Sequence, residues 1–227
     1  MNLFYASHID GDEIHITGQE ATHCHKVLRS QEGSTVMLMD GIGGVYEAVI
    51  EQIYKDRIVA KVKVQHRHEL DKRMPHLAFG IIKHPARLEW LIEKITEVGV
   101  SRITPLICTR SEKRNIKKDR IQKIMLSAAK QSKAYHFPTL DDPMTIEEFM
   151  SQVKRKGYVA SWAPDVPELS SKSNTPDHPV MLIGPEGDFT DDELSTFVNA
   201  GYRRVNLGSK RLRAETAAVV ACTLLMV

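Results

Sequence analysis

The sequence predicts an α/β protein in two parts, a small β-barrel over residues 1–70 and an α/β domain over residues 75–227. Three observations predict it. Apolar residues in the first part alternate with period two between glycine-rich turns, as in "STVMLMDGIGGVYEAVIEQI" and "RIVAKVKV". After Pro75, short apolar runs alternate with segments of helical spacing, which is the order of an α/β sheet. Between the two lies "HRHELDKRMP", polar and ending in proline, with the character of a linker.

Element by element, Asp40-Gly41 and Gly43-Gly44 separate two alternating runs and signal a hairpin. Thr17 and Glu20 have capping-box spacing, so a helix is expected through "ATHCHKVLR". His23 and His25, two apart on that helix, point away from each other, and no metal site is expected there. In the second part "LAFGII" reads as a strand. "ARLEWLIEKITEVG" reads as a helix with Leu88, Leu91, Ile92, Ile95 and Val98 inward and Gly99 as its C-cap, and Trp90 on it is expected in the core. "RITPLIC" is a strand broken by its proline. A helix follows with Ile121, Ile124, Met125, Ala128 and Ala129 on one face, then the helix "TIEEFMSQVK" and the strand "YVASW". Residues 163–179 form a polar loop with four prolines, long enough to be mobile or functional.

Composition excludes several classes. With 227 residues and 42% apolar content the chain has material for a real core. Cys24, Cys108 and Cys222 are odd in number and widely spaced, so neither a disulfide framework nor a zinc site is indicated and a reducing compartment fits best. The longest apolar stretch has 11 residues, against roughly 20 for a membrane span. No basic segment precedes an apolar core at the N-terminus, and cytoplasm is the expected location. The net charge of +2 divides into −2 over residues 1–75 and +4 over 76–227, and residues 110–133 alone hold 9 basic and 2 acidic residues. Such a cluster suits phosphates, although a solvated helix face is the plainer reading.

The chemistry concentrates in the last two strand-loop-helix units. "VMLIGPEGDFTDDE" is a buried strand, a tight loop and a helix opened by the Thr190/Glu193 capping box. "RRVNLGSKRLRAETAAVVACTLLM" repeats the pattern. Two such loops at one sheet edge make a pocket largely of backbone, where ligands of open α/β sheets sit. Neither a dinucleotide nor a P-loop fingerprint is present. Glu186 and Asp188 would repel a pyrophosphate and favour a flat ligand that is neutral or cationic beside them. S-adenosylmethionine is such a ligand.

"LIGPEGDFTDDEL" with "LGSKRLRAETA", and "EKITEVGVSRITPLICTRS" upstream, resembles the RsmE-type methyltransferases of the SPOUT superfamily, which methylate N3 of a uridine in small-subunit (16S) ribosomal RNA. The likeness spans essentially the whole chain. It implies a C-terminal SPOUT-like α/β domain with a trefoil knot, a PUA-like β-barrel in front that binds RNA, a homodimer, and S-adenosylmethionine as methyl donor. The partner implied is small-subunit ribosomal RNA, within an assembled subunit, with no membrane and no metal. Carried over by position, the cofactor residues are Leu182, Gly184, Pro185, Glu186, Gly187, Leu207, Gly208, Leu212, Arg213, Glu215, Thr216 and Ala217. Asp188 stands where the family commonly has Gly, and Ala214 where it commonly has Thr. "AAKQSKA" at 128–134 also departs, since the family tends to show Glu-Gln-Ser-Gly-Arg there.

N3 of uridine becomes nucleophilic when its proton leaves and negative charge builds on the flanking carbonyls. Arg213 is the candidate cation to meet it, or else an ion-pair partner of Glu186 or Glu215 that shapes the pocket. Glu215 either accepts the proton or complements the dipole of the last helix. Arg110, Ser111, Lys113 and Arg114, with Arg29 from the barrel, are the expected RNA contacts, and Tyr135, with Trp90 if it is not in the core, is a ring able to stack on bases. Other readings stay open: a non-catalytic RNA-binding protein, a SPOUT methyltransferase acting on another RNA, or a metabolite-modifying α/β enzyme with no nucleic-acid partner, for which the basic segment is a surplus.

Overall fold

The computed structural model describes residues 3–6, 8–27, 30–163, 165–170 and 176–227. Arg29 lies outside the described residues. Two compact units result, the first made of Met1–Leu70 with Ala129–Phe137, the second of Asp71–Ala128 with Pro138–Val227.

The first unit carries a six-stranded sheet. Its strands are β1 Leu3–Tyr5, β2 His8–Asp10, β3 Glu13–Thr17, β4 Thr35–Met39, β5 Gly44–Ile53 and β6 Arg57–Arg67, in the order β1-β4-β5-β6-β3-β2. All pairs are antiparallel except β1 with β4. Two register shifts between β5 and β6, at Glu47/Ala48 and Ile50/Gln52, add local twist and bend to the longest pair. Alternate residues of the strands then meet in one core, with Ile14, Ile16, Leu38 and Ile58 wholly buried. The expected helix divides into a short α1, Gly18–Thr22, and a π-helical turn, His23–Val27. Glu20 accepts the Tyr5 N–H (3.1 Å) and the Lys130 ammonium (2.6 Å). The segment 129–137 belongs here because it hydrogen-bonds the hairpin turn. Gly43 N–H donates to the Tyr135 carbonyl (2.9 Å), and Phe137 N–H to that of Gly41 (2.8 Å).

The second unit is an all-parallel sheet of β7 His76–Gly80, β8 Arg102–Ile107, β9 Thr139–Leu140, β10 Met144–Thr145, β11 Gly157–Ala160, β12 Val180–Ile183 and β13 Arg203–Val205. Its order is β10-β8-β7-β12-β11-β13, with β9 also on β8. β7 and β12 are buried at every residue, as apolar runs covered on both faces must be. Leu77, Phe79, Met181 and Ile183 point to one core, shared with α2 Pro85–Val98, part of α3 Lys118–Ser132 and α6 Ala214–Met226. Ala78, Val180 and Leu182 point to the other, shared with α4 Ile146–Gln152 and α5 Asp191–Asn199. The α/β class predicted from sequence holds.

Two local expectations need correction. β8 runs unbroken through Pro105, because on one side it pairs with β9 at Arg102 and Ile103 and with β10 at Leu106 and Ile107, and the proline falls in the gap between them. Trp90 is not in the core but 43% exposed.

Candidate active site

β12 ends at Ile183 and the chain turns at once. Pro185 packs against Gly80 at the end of β7, where a Cβ would come within 2.5 Å of the proline ring. Asp188 N–H closes the turn on the Pro185 carbonyl (2.9 Å). Asp188 itself has φ of 62° and accepts the Phe189 N–H on its carboxylate (2.8 Å), so this aspartate satisfies the left-handed position locally. A Cβ on Gly184 would sit 2.7 Å from that same carboxylate and 2.8 Å from Phe189 N. The Thr190/Glu193 capping box is present, and the second Glu193 oxygen takes the Thr109 N–H (2.7 Å). This fastens the loop after β8 to the start of α5.

The second loop, 206–213, leaves β13 and enters α6, with Arg213 as N-cap. Asn206 N–H donates to Pro167 O and Leu169 N–H to Asn206 O (both 2.8 Å), which ties this loop to the described part of the long polar loop. Between the two bends lies a cavity of about 850 Å³ at the carboxyl edge of β11, β12 and β13. Its walls combine Ile183, Gly184, Pro185, Glu186 and Asp188 with Leu207, Leu212, Arg213 and Ala217, and with Ser161 and Trp162 after β11. Of the residues expected at a cofactor, Gly184, Pro185, Glu186, Leu207, Leu212, Arg213 and Ala217 line it. Leu182, Gly187, Gly208, Glu215 and Thr216 do not. Leu182 is wholly buried in the α4 and α5 core.

The residue that joins the two loops carries no local sequence signal. Arg87, in the first turn of α2, donates from Nε to Glu215 Oε1 (2.7 Å), and its Nη1 lies 3.5 Å from Glu186 Oε1. Lys83 N–H also donates to Glu186 Oε1 (3.1 Å). Burial pushes the Glu215 carboxyl up, but the hydrogen bonds from Arg87 and from its own backbone N–H, with the Arg87 and Arg213 charges, outweigh it and hold the group below its ordinary value. A buried carboxylate so held is a weak base, and this geometry makes Glu215 a partner for Arg87. Arg213 is exposed and forms no ion pair among the described residues, so its alternative role as the partner of Glu186 or Glu215 falls to Arg87 instead.

The basic segment is also sorted by contact. Arg110 braces the first loop, with Nη1 donating to Gly187 O (2.8 Å) and Phe189 O (3.3 Å). Ser111 Oγ accepts the Cys108 N–H (3.1 Å). Lys113 and Arg114 are exposed. Tyr135 has one ring face stacked on His68, with centroids 4.4 Å apart. Among the described residues no cluster of three His, Cys, Asp or Glu could hold a metal, and no helix is long and apolar enough to cross a membrane.

Fold and cavity together define an α/β protein that takes its ligand between two loops at the carboxyl edge of a parallel sheet. An RNA methyltransferase domain family matches residues 69–226, and an RNA methyltransferase PUA domain matches residues 16–63. The chain belongs to the RNA methyltransferase family. It is 30% identical over 216 residues to the ribosomal RNA small subunit methyltransferase E of Synechocystis sp., covering 92% of this chain and 71% of that protein. A probable rRNA-methyltransferase from Porphyromonas gingivalis superposes with a TM-score of 0.86 at 32% identity, over 98% of this chain and 95% of that one. A structure from Legionella pneumophila, described as a methyltransferase with bound cofactor SAM, superposes with a TM-score of 0.80 at 25% identity, over 98% and 96%.

Proposed function

We propose that this chain methylates N3 of a uridine in small-subunit (16S) ribosomal RNA, with S-adenosylmethionine as donor. The observation that carries the reading is the cavity built jointly by the Gly184–Asp188 and Asn206–Arg213 bends. Its chemistry fits the donor. Glu186 and Asp188 suit a cationic sulfonium, Ile183, Leu207, Leu212 and Ala217 suit an adenine ring, and a side chain at Gly184 would disrupt the loop. A relative named as a small-subunit ribosomal RNA methyltransferase supports that RNA as substrate, and the SAM-bound Legionella structure supports the donor.

S-adenosylmethionine supplies an electrophilic methyl group. The protein's part is to hold donor and uracil together and to stabilise the uracil anion once its N3 proton has passed to solvent water, the N3 lone pair then taking the methyl group as its bond to the donor sulfur breaks. Arg213, on the cavity wall and without an ion-pair partner among the described residues, serves as the cation facing the developing charge on the uracil carbonyls. Arg87 positions the loops through Glu186 and Glu215, and Glu215 does not take the proton. The trefoil knot, the homodimer, the cytoplasmic location and the assembled subunit as substrate belong to the same proposal.

The test is to incubate small subunits or naked ribosomal RNA lacking the modification with the protein and methyl-labelled S-adenosylmethionine, then digest to nucleosides. Label in 3-methyluridine is expected. Label in any other nucleoside, or none, refutes the reading.

A further inference from the structure

The turn that carries Arg87 has a second side. His84, Ala86 and Arg87 line the cavity described above, whereas Ile82, Pro85, Leu88 and Glu89 line another, of about 670 Å³. Ile116 and Ile121 complete its apolar walls. The two cavities therefore stand back to back across one turn of chain.

The rim of the second cavity is strongly basic for a specific reason. Residues 110–133 contain nine Lys and Arg. Four are spent: Arg110 on carbonyls, Lys118 on Asp142 (2.6 Å), Arg120 on Glu89 and Lys130 on Glu20 (2.6 Å). The side chains of the other five, Lys113, Arg114, Lys117, Lys123 and Lys133, form no ion pair within 4 Å among the described residues, and three of them, Lys113, Arg114 and Lys117, stand on this rim. The rim's one carboxylate, Glu89, is neutralised by Arg120, with Nη2 to Oε2 at 2.6 Å, and held below its ordinary value by that hydrogen bond. Lys117 also acts on Glu89 through its charge, which leaves Lys113 and Arg114 without a carboxylate partner on this rim, and an apolar slot beneath such cations is complementary to a ligand with an apolar ring and an adjacent anion.

On the reading that the substrate is RNA, we propose that this second cavity is an RNA subsite that receives an unstacked nucleotide of the substrate strand, its base against Ile82, Leu88 and Ile116 and its phosphate among Lys113, Arg114 and Lys117. Splayed bases held on side-chain surfaces with the backbone in a cationic track are how single strands are bound. A site one turn from the methyl-transfer cavity would hold the strand so that the target uridine cannot slide.

The test uses the full chain with two variants, the triple change Lys113→Ala, Arg114→Ala, Lys117→Ala, and the plug Ile116→Trp. RNA affinity is measured across a salt series, S-adenosylmethionine affinity by calorimetry and oligomeric state by light scattering. The triple variant is expected to lose at least tenfold in RNA affinity and to flatten the salt slope by about 0.7 log units per decade, the loss of one neutralised phosphate on a single strand. The plug is expected to lose RNA affinity with cofactor affinity and oligomeric state unchanged. RNA affinity unchanged in both variants overturns the subsite while leaving the methyltransferase reading intact. A plug that alters oligomeric state and spares RNA affinity assigns the cavity to a second copy of the chain. If the wild-type protein neither binds nor methylates RNA, the functional reading falls and the subsite with it.

Discussion

Arg87 Nε donates to Glu215 Oε1 at 2.7 Å, joining the first turn of one helix to the first turn of another 128 residues later. The contact fixes how far apart the two loops of the cavity stand, since the same guanidinium also faces Glu186. Replacing Arg87 with Ala strands a carboxylate that is only 6% exposed. The expected loss is about 2 kcal/mol of stability, below the usual cost for a fully buried pair because the arginine is partly solvated. Urea unfolding measures it, and Arg87→Lys should recover part. An unchanged midpoint would mean the pair is not a brace.

Arg213→Ala should leave folding and cofactor affinity intact and lower kcat on the order of 10²–10³-fold, the usual cost of removing one donor to a developing oxyanion. Single-turnover methyl transfer measures this directly. Turnover at the wild-type rate rules out the role given to this side chain.

Gly184→Ala should weaken cofactor binding and Gly184→Val abolish it, because the added Cβ meets Asp188 and Phe189 within 2.8 Å. Titration calorimetry reads both. Equal affinity in the two variants would show that the loop relaxes freely.

His76 is buried and donates to or accepts from Thr104 Oγ1 at 2.7 Å. Burial first, and the nearby Arg102 charge second, lower its pKa from 6.5 to about 4. The folded protein then refuses a proton that the unfolded chain accepts, so this contribution is complete above pH 6.5 and is lost as pH falls towards 4. It amounts to at most about 3 kcal/mol. Unfolding midpoints across that range should decline in the wild-type protein and decline less in His76→Gln.

Much of the second unit was legible from local rules. Thr190 with Glu193 announced a helix start, the unbroken apolar run Val180–Ile183 announced a doubly covered strand, and Gly99, with φ of 102°, announced a helix end. Trp90, expected in the core, is exposed, and its spacing gives the reason. It follows Leu88 by two residues, about 200° round the helix, and so faces away from the core. Pro105 could not be placed without knowing that its strand's neighbours leave a gap opposite it. The bond between Arg87 and Glu215 was beyond any window of local sequence, and the role of Arg110 was masked by the charge of its neighbours. Charge alone does not distinguish a cation that binds carbonyls of its own chain from one left open for a ligand.

The cavity draws its walls from His84 through to Ala217. A polypeptide emerging from the ribosome therefore has nothing with which to grip the donor until almost the whole domain has been synthesised. Nascent chains released early would be blind to the metabolite, and retention on an immobilised donor analogue would select finished molecules from unfinished ones.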